Sequence, residues 1–313
     1  MDKPSAEILE RIKLLQEKYE ASGQDMLSYL DGLLYSDYLT YWDYIKVDTL
    51  LSLQSPETEI PDERVFILYH QITELYFKLI INEQNDINNH KSLTLNFLKS
   101  RLRRINRYFE HLIHSFAIMI KGMEKEQFLK FRMALLPASG FQSAQYRTIE
   151  LKSAPIIRLV AHQDRDALAN ERDTAILYDN LYWKQGGREL KTNKKTLTLK
   201  QFEKKYREEF EDLIAENSFK NIWMAYQSLS PEDQQNPGLI KEMKTYDVQA
   251  NIQWPLQHFK SAAHFLIGDP EVIAATGGTN WQKYLPPQFQ FITYFPALWT
   301  KEDMEGWGPN TKV

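Results

Sequence analysis

The stretch from Phe66 to Glu83, Phe-Ile-Leu-Tyr-His-Gln-Ile-Thr-Glu-Leu-Tyr-Phe-Lys-Leu-Ile-Ile-Asn-Glu, constrains the fold more than any other. Its apolar residues recur at spacings of three and four with no Gly or Pro between them, which predicts one long helix that is apolar almost all round. Such a helix is expected to be buried at the centre of the molecule. Asp62 and Glu63 just ahead place negative charge where the helix dipole favours it. His70 stands out on this surface. It follows Phe66 by four residues, so the two side chains share a helical face. A lone histidine on an apolar face is either a core residue bonded to a neighbour or a ring turned toward a ligand. Its companions elsewhere in the chain favour the second.

Before this helix, Ile8, Ile12 and Leu15 mark a short amphipathic helix from Ser5 to about Tyr19, capped by Ser5. Residues 1–35 are expected to form an N-terminal helical arm and residues 36–313 a single all-α domain. Tyr41 and Tyr44 share a face if the segment from Leu39 to Leu51 is helical, and Pro56 and Pro61 punctuate the loop that follows. A second long helix is predicted from about Leu93 to Ile113, with Arg101, Arg103, Arg104 and Arg107 as a solvated basic face. Further on, Phe128 and Arg132 share a helical face. Pro137 stops that helix, Ser139-Gly140 turns the chain, and a new helix runs to Glu150. Arg132 is either a surface or ion-paired arginine or a guanidinium facing a carboxylate in a pocket. The segment 184–205, with Gly186-Gly187 and Lys191, Lys194, Lys195 and Lys200, reads as a solvated loop, with a lid as the other possibility. Helical patterns resume at 202–229 and at 247–266, the latter containing Pro255. Strand-like alternation is nearly absent, so the fold class is all-α, a helical bundle with a pocket between helices.

The 313 residues suffice for a sizeable core. A net charge of −4 argues against a nucleic-acid partner, and no run of about 20 apolar residues offers a membrane span. The N-terminus, Met1-Asp2-Lys3-Pro4-Ser5, lacks the pattern of a signal peptide, which makes the cytoplasm the expected location. With 17 Tyr, 16 Phe and 7 Trp the chain is rich in side chains that stack on a flat ligand. The absence of Cys excludes disulfides, thiolate catalysis and iron–sulfur clusters. No HExxH, GxGxxG or P-loop pattern occurs, which argues against a zinc protease, a dinucleotide enzyme or phosphoryl transfer. Isolated histidines on long helices, with no Cys and many aromatics, fit a haem held between helices by one imidazole.

Leu39-Thr40-Tyr41-Trp42-Asp43-Tyr44, Asp62-Glu63, Phe66-Ile67-Leu68-Tyr69-His70-Gln71, Glu74-Leu75 and Phe131-Arg132 through Phe141-Gln142-Ser143, with Tyr146-Arg147 and Ile149-Glu150, resemble the tryptophan 2,3-dioxygenase family. The resemblance is dense from about Leu39 to Glu150. It then thins to Asp247-Val248, Trp254, Ile267-Gly268, Thr276-Gly277-Gly278 and Phe295-Pro296. It implies a helical bundle enclosing haem b, an iron-dependent opening of the indole ring of L-tryptophan by dioxygen to N-formylkynurenine, and a homotetramer. By the same resemblance His70 is the histidine facing the indole nitrogen, Phe66 packs beside it, and Arg132 clamps the substrate carboxylate. Tyr41 and Tyr44 come from a neighbouring subunit, Ser139 and Gly140 lie in the loop over the haem, and Thr276 meets the amino-acid end of the substrate.

The chain departs from the family pattern at three places. Phe128 stands where some members have a pocket Tyr, and Thr279-Asn280-Trp281 replaces a small, Ser-rich continuation of the glycine loop. At the proximal side, a gapless alignment from Asp247 puts Phe259 at the iron-ligand position, whereas the Trp-x-x-x-His spacing from Trp254 selects His258. Pro255 gives a physical reason for a one-residue slip, because it removes a helical donor and forces a kink or bulge. His258 is therefore the expected iron ligand, with His264 in reserve. Two other functions are compatible with the residues: a related haem oxygenase acting on another aromatic amino acid or indole derivative, and a non-catalytic helical haem-binding protein.

Overall fold

A computed structural model describes residues 4–36, 40–135, 142–189, 192, 194–266, 290–311 and 313. The chain divides into two compact units, Met1–Ser55 and Pro56–Val313. In the first, α1 (Ala6–Ala21) is capped by Ser5 as the sequence predicts, and α2 (Met26–Leu34) by Asp25, which accepts from the Leu27 and Ser28 amides. Two single-turn helices follow, α3 (Tyr41–Ile45) and α4 (Val47–Leu51), separated by Lys46 in the left-handed region at φ 54°. None of these four helices buries a residue.

The second unit is built on α5 (Asp62–Asn88) and α6 (Leu95–Gly122), helices of 27 and 28 residues packed against one another. The buried residues of α6, Leu98, Leu102, Ile105, Phe109, Leu112, Phe116 and Met119, alternate spacings of four and three, so one seam of this helix faces the core along its whole length. Its arginines divide between two environments. Arg107 is exposed, Arg103 is exposed but paired with Glu242 at 2.9 Å, and Arg101 and the exposed Arg104 reach the buried carboxylate of Glu83 on α5 at 2.9 and 2.7 Å.

The composition of α5 predicts burial almost all round, but the structure leaves one face exposed. Leu68, Ile72, Leu75 and Leu79 form an exposed stripe, while Tyr69, Thr73, Phe77 and Ile80 face inward. α6 and α8 (Ala144–Ser153) pack against α5, and the residues of the stripe are 39–51% exposed. At the helix start Glu63 does more than complement a dipole. Its buried carboxylate accepts from the Glu57 and Thr58 amides, both at 2.8 Å, and so shapes the preceding loop.

Between α6 and α8 lies α7 (Lys125–Phe131), continued by a 3₁₀ turn, Arg132–Leu135. Arg132 therefore sits just past the α-helix that the sequence assigns it to. Beyond α8 come α9 (Thr174–Asp179), α10 (Leu197–Asn217) and α11 (Ile222–Gln227), the last two breaking the predicted 202–229 helix at residues 218–221. Asn217 and Asn221 make that break: Asn217 turns its side chain onto the Leu151 and Ala154 carbonyls, and Asn221 caps α11. α12 (Pro231–Gln234), α13 (Pro237–Val248), α14 (Trp254–Leu266) and α15 (Lys301–Glu305) complete the helices. Among the described residues β pairing is limited to two isolated bridges, so this unit is an all-helical bundle. No helix among them is long and apolar enough to cross a membrane.

The basic segment is not a solvated loop throughout. Lys184 is 1% exposed, with its ammonium 2.7 Å from both Asp179 and Glu203 and over the ring of Tyr178. Lys195 pairs with the other oxygen of Glu203 at 2.8 Å, and α10 begins at Leu197. A buried ammonium needs both carboxylates, and they anchor what the local charge density marks as surface.

Two buried polar knots join the helices. Gln84 of α5 donates to the Ile149 carbonyl and Ser153 hydroxyl of α8 and to the Tyr246 hydroxyl of α13. Asp247, fully buried, accepts from the Tyr294 and Phe295 amides, the Trp299 indole N–H and the Asn251 side chain at 2.8–3.1 Å. Burial pushes its carboxyl up to about 6 against the pull of these donors. Asp247→Ala strands all of them in a dry interior and should lower the unfolding free energy by at least about 3 kcal/mol in a urea titration, with Asp247→Asn costing less.

Candidate active site

The local geometry around His70 starts from helix periodicity. The carbonyl of Phe66, one turn earlier, can only accept, so the His70 Nδ1–H donates to it at 2.7 Å. In the neutral ring this leaves Nε2 as an acceptor with its lone pair directed away from the helix. Burial is the largest influence on His70 and lowers its pKa, while the Phe66 carbonyl and Glu74 act in the opposite sense. The side chain is nevertheless exposed. His70 therefore sits at the protein surface with its Nδ1 committed to the Phe66 carbonyl.

Aromatic side chains wall this side. Phe66 lies 4.0 Å from the His70 ring, 5.7 Å from Phe131 and 6.2 Å from Phe128, centroid to centroid. Phe128 in turn meets Phe265 of α14 at 4.6 Å. The wall is wholly apolar at Phe128, where a tyrosine would have added a hydroxyl. Arg132, one turn after Phe128, is 6% exposed, so its guanidinium belongs to the interior and not to the surface.

His258 stands on α14, half-buried, with its ring stacked on Phe116 at 6.2 Å. Phe116 also meets Tyr69 at 5.8 Å and Trp254 at 4.8 Å, and so bridges α5 to α14. Burial, then the proximity of His70 and of Arg147, pushes the His258 imidazole down to about 4. It is neutral at pH 7, the form in which imidazole binds a metal. His70 is on α5 and His258 on α14, and Tyr69, next to His70 in sequence, and His258 both meet the ring of Phe116. His264 lies further along α14 and is exposed.

The expected kink at Pro255 takes a specific form. A π turn, Gln249–Gln253, joins α13 to α14, and Trp254 donates back five residues to the Gln249 carbonyl. Pro255 then occupies the first turn of α14, where its missing N–H is tolerated. The π turn ends five residues ahead of His258 and sets the helical face on which that ring emerges.

Behind the two histidines is a charged group that the sequence marks only as part of a motif. Arg147 of α8 lies 2.7 Å from Glu150 and donates to the Tyr182 hydroxyl at 3.0 Å, and that hydroxyl donates to Glu150. The rings of Tyr146, Tyr182 and Trp183 surround its guanidinium. Burial disfavours its charge, but Glu150 and the tyrosines more than compensate, and Arg147 stays cationic. The roles of Phe116, Tyr182 and Trp183 carry no sequence signal, since each is set by a neighbour distant in the chain.

Other expected site residues fall elsewhere. Tyr41 and Tyr44 are on α3 of the first unit, 73% and 75% exposed. Ser139, Gly140 and Thr276 lie outside the described residues. Among those described, no group of three or more His, Asp or Glu side chains converges on a point.

The class this defines is an all-helical bundle in which aromatic side chains of α5, α6, α7 and α14 pack around His70 and His258. The family model for tryptophan 2,3-dioxygenase matches residues 32–264. The tryptophan 2,3-dioxygenase of Pseudomonas aeruginosa (strain UCBPP-PA14) is 29% identical over 265 residues, covering 82% of this chain and 86% of that protein. That of Xenopus laevis is 36% identical over 152 residues, 44% of this chain and 36% of its own. Tryptophan 2,3-dioxygenase 2 of Ralstonia nicotianae is 42% identical over 122 residues, 34% of this chain and 32% of its own. The chain belongs to the tryptophan 2,3-dioxygenase family.

Proposed function

We propose that this protein is a haem-dependent oxidoreductase that opens the indole ring of L-tryptophan with dioxygen, giving N-formylkynurenine. The observation that carries the reading is the match to the family over residues 32–264, and the aromatic surroundings of His70 and His258 support it. His258, neutral and backed by Phe116, would hold the iron of haem b. Haem supplies the activation of dioxygen, and the protein supplies position and dryness.

Each remaining residue has a physical task. The His70 Nε2 lone pair accepts the indole N–H, because Nδ1 is committed to Phe66. Phe66, Phe128, Phe131 and Phe265 exclude water and bury the flat ring. Arg132 holds the substrate carboxylate in a low-dielectric interior where a guanidinium fork is most effective. Ser139, Gly140 and Thr276 complete the loops over the cofactor and the amino-acid end in this proposal.

Assembly into a homotetramer is part of it, with Tyr41 and Tyr44 closing a neighbour's site. Two surfaces support an assembly: the first unit, whose helices bury nothing, and the apolar stripe Leu68, Ile72, Leu75 and Leu79 on α5. Apolar area of this extent is what subunit interfaces cover. Light scattering should give four chains per particle, and a fully active monomer would contradict the assembly.

Mass spectrometry of the product formed from tryptophan by the reduced, haem-loaded protein tests the reaction. The expected product is N-formylkynurenine with both oxygen atoms of dioxygen retained; a hydroxylated tryptophan would point to the related oxygenase. Arg132→Ala should raise the half-saturating concentration of tryptophan at least about tenfold and barely change turnover of an indole lacking the carboxylate. Equal losses on both would make Arg132 structural. His70→Ala should slow turnover without abolishing it, since His70 orients the indole N–H and is not an obligatory base; complete loss with haem still bound would refute that role.

A further inference from the structure

The turn that carries α13 into α14 contains a carbonyl for which the backbone has no donor. In an α-helix the Ala250 carbonyl would accept from the Trp254 N–H, but that N–H is committed to Gln249. A π-type bond to Ala250 would require the N–H of residue 255, and Pro255 has none. Ala250 is fully buried, so water does not supply the missing donor. Tyr146 does: its hydroxyl, on α8, donates to the Ala250 carbonyl at 2.9 Å. The Tyr146 ring also packs against Phe77 at 5.3 Å and Trp254 at 6.5 Å, which aims the hydroxyl at the turn.

We infer that Tyr146 is a positioning residue for His258. Its hydroxyl stabilises the π turn, and the π turn fixes the face of α14 from which His258 projects. Successive residues of a helix point about 100° apart, so a turn that regularised by one residue would put a neighbour of His258, which has no imidazole, in its place. Asn251 braces the other side of the turn through its bond to Asp247, so the irregular stretch is held at two points, and Tyr146 is the one whose removal leaves a buried carbonyl bare. The inference rests on the reading of His258 as the iron ligand.

The test is a double-mutant cycle on the full chain with Tyr146→Phe and Pro255→Ala. Replacing Pro255 restores an N–H, so the Ala250 carbonyl regains a backbone donor whether the turn stays π or becomes α. In urea unfolding without haem, Tyr146→Phe should raise the unfolding equilibrium constant about tenfold or more. In the Pro255→Ala background the same change should alter it by less than about threefold. Equal effects in both backgrounds would overturn the capping role. Should Tyr146→Phe yield no soluble protein, the double variant decides: soluble supports the cap, insoluble contradicts it. On titration with ferric haem, Tyr146→Phe should bind at least about fivefold more weakly and show an altered iron absorption spectrum. Wild-type affinity and spectrum alongside intact stability coupling would make Tyr146 a stabilising residue with no positioning role. If His258→Ala leaves the haem spectrum of the otherwise wild-type chain unchanged, the assignment of His258 fails, and the stability cycle, measured without haem, separates that failure from this one.

Discussion

Burying the Asp247 carboxyl is the constraint on which the second half of this molecule depends. A carboxyl group with no access to water has to find its donors in the protein, and here they come from the C-terminal segment, from an indole and from the helix itself. The chain at Tyr294, Phe295 and Trp299 is thereby tied to the end of α13, one residue ahead of the π turn. Tyr146 secures the other side of that turn. The position of α14, and of His258 on it, is thus fixed by buried hydrogen bonds as well as by apolar packing.

The surroundings of His258 are an electrostatic compromise, because burial and the positive charges that His70 and Arg147 can carry all disfavour a charge on its ring. Arg147 keeps its charge because Glu150 and Tyr182 are bonded to it, and the imidazoles remain neutral. In the proposed reaction the His258 lone pair would serve a metal and that of His70 the indole N–H, with the aromatic rings burying the substrate and Arg132 meeting its carboxylate.

Much of this was legible in the sequence where local spacing decides geometry. The i, i+4 relation of Phe66 and His70 predicts that they share a helical face, and the structure holds their rings 4.0 Å apart and tilted; the bond from Nδ1 to the Phe66 carbonyl is not marked by spacing. Pro255 predicts an irregular helix, and the π turn is its form. Spacing says nothing of what covers a face, however. The outer stripe of α5 is as apolar as its inner one, and only the placement of α6 and α8 shows which is buried. Lys184 looks like surface because its neighbours in sequence are charged, whereas its burial depends on Asp179 and Glu203, from helices on either side. Phe116 belongs to the seam of α6, and its contact with His258 is set entirely by how α14 crosses that helix.

The central claim, that His258 holds the cofactor, is tested most directly by ferric and ferrous haem spectra of His258→Ala and His264→Ala beside the unaltered chain. The account predicts about one haem per chain in the unaltered protein, unchanged spectra for His264→Ala, and loss of the histidine-ligated spectrum in both oxidation states for His258→Ala. The reverse pattern, with His258→Ala retaining the spectra and His264→Ala losing them, would contradict it.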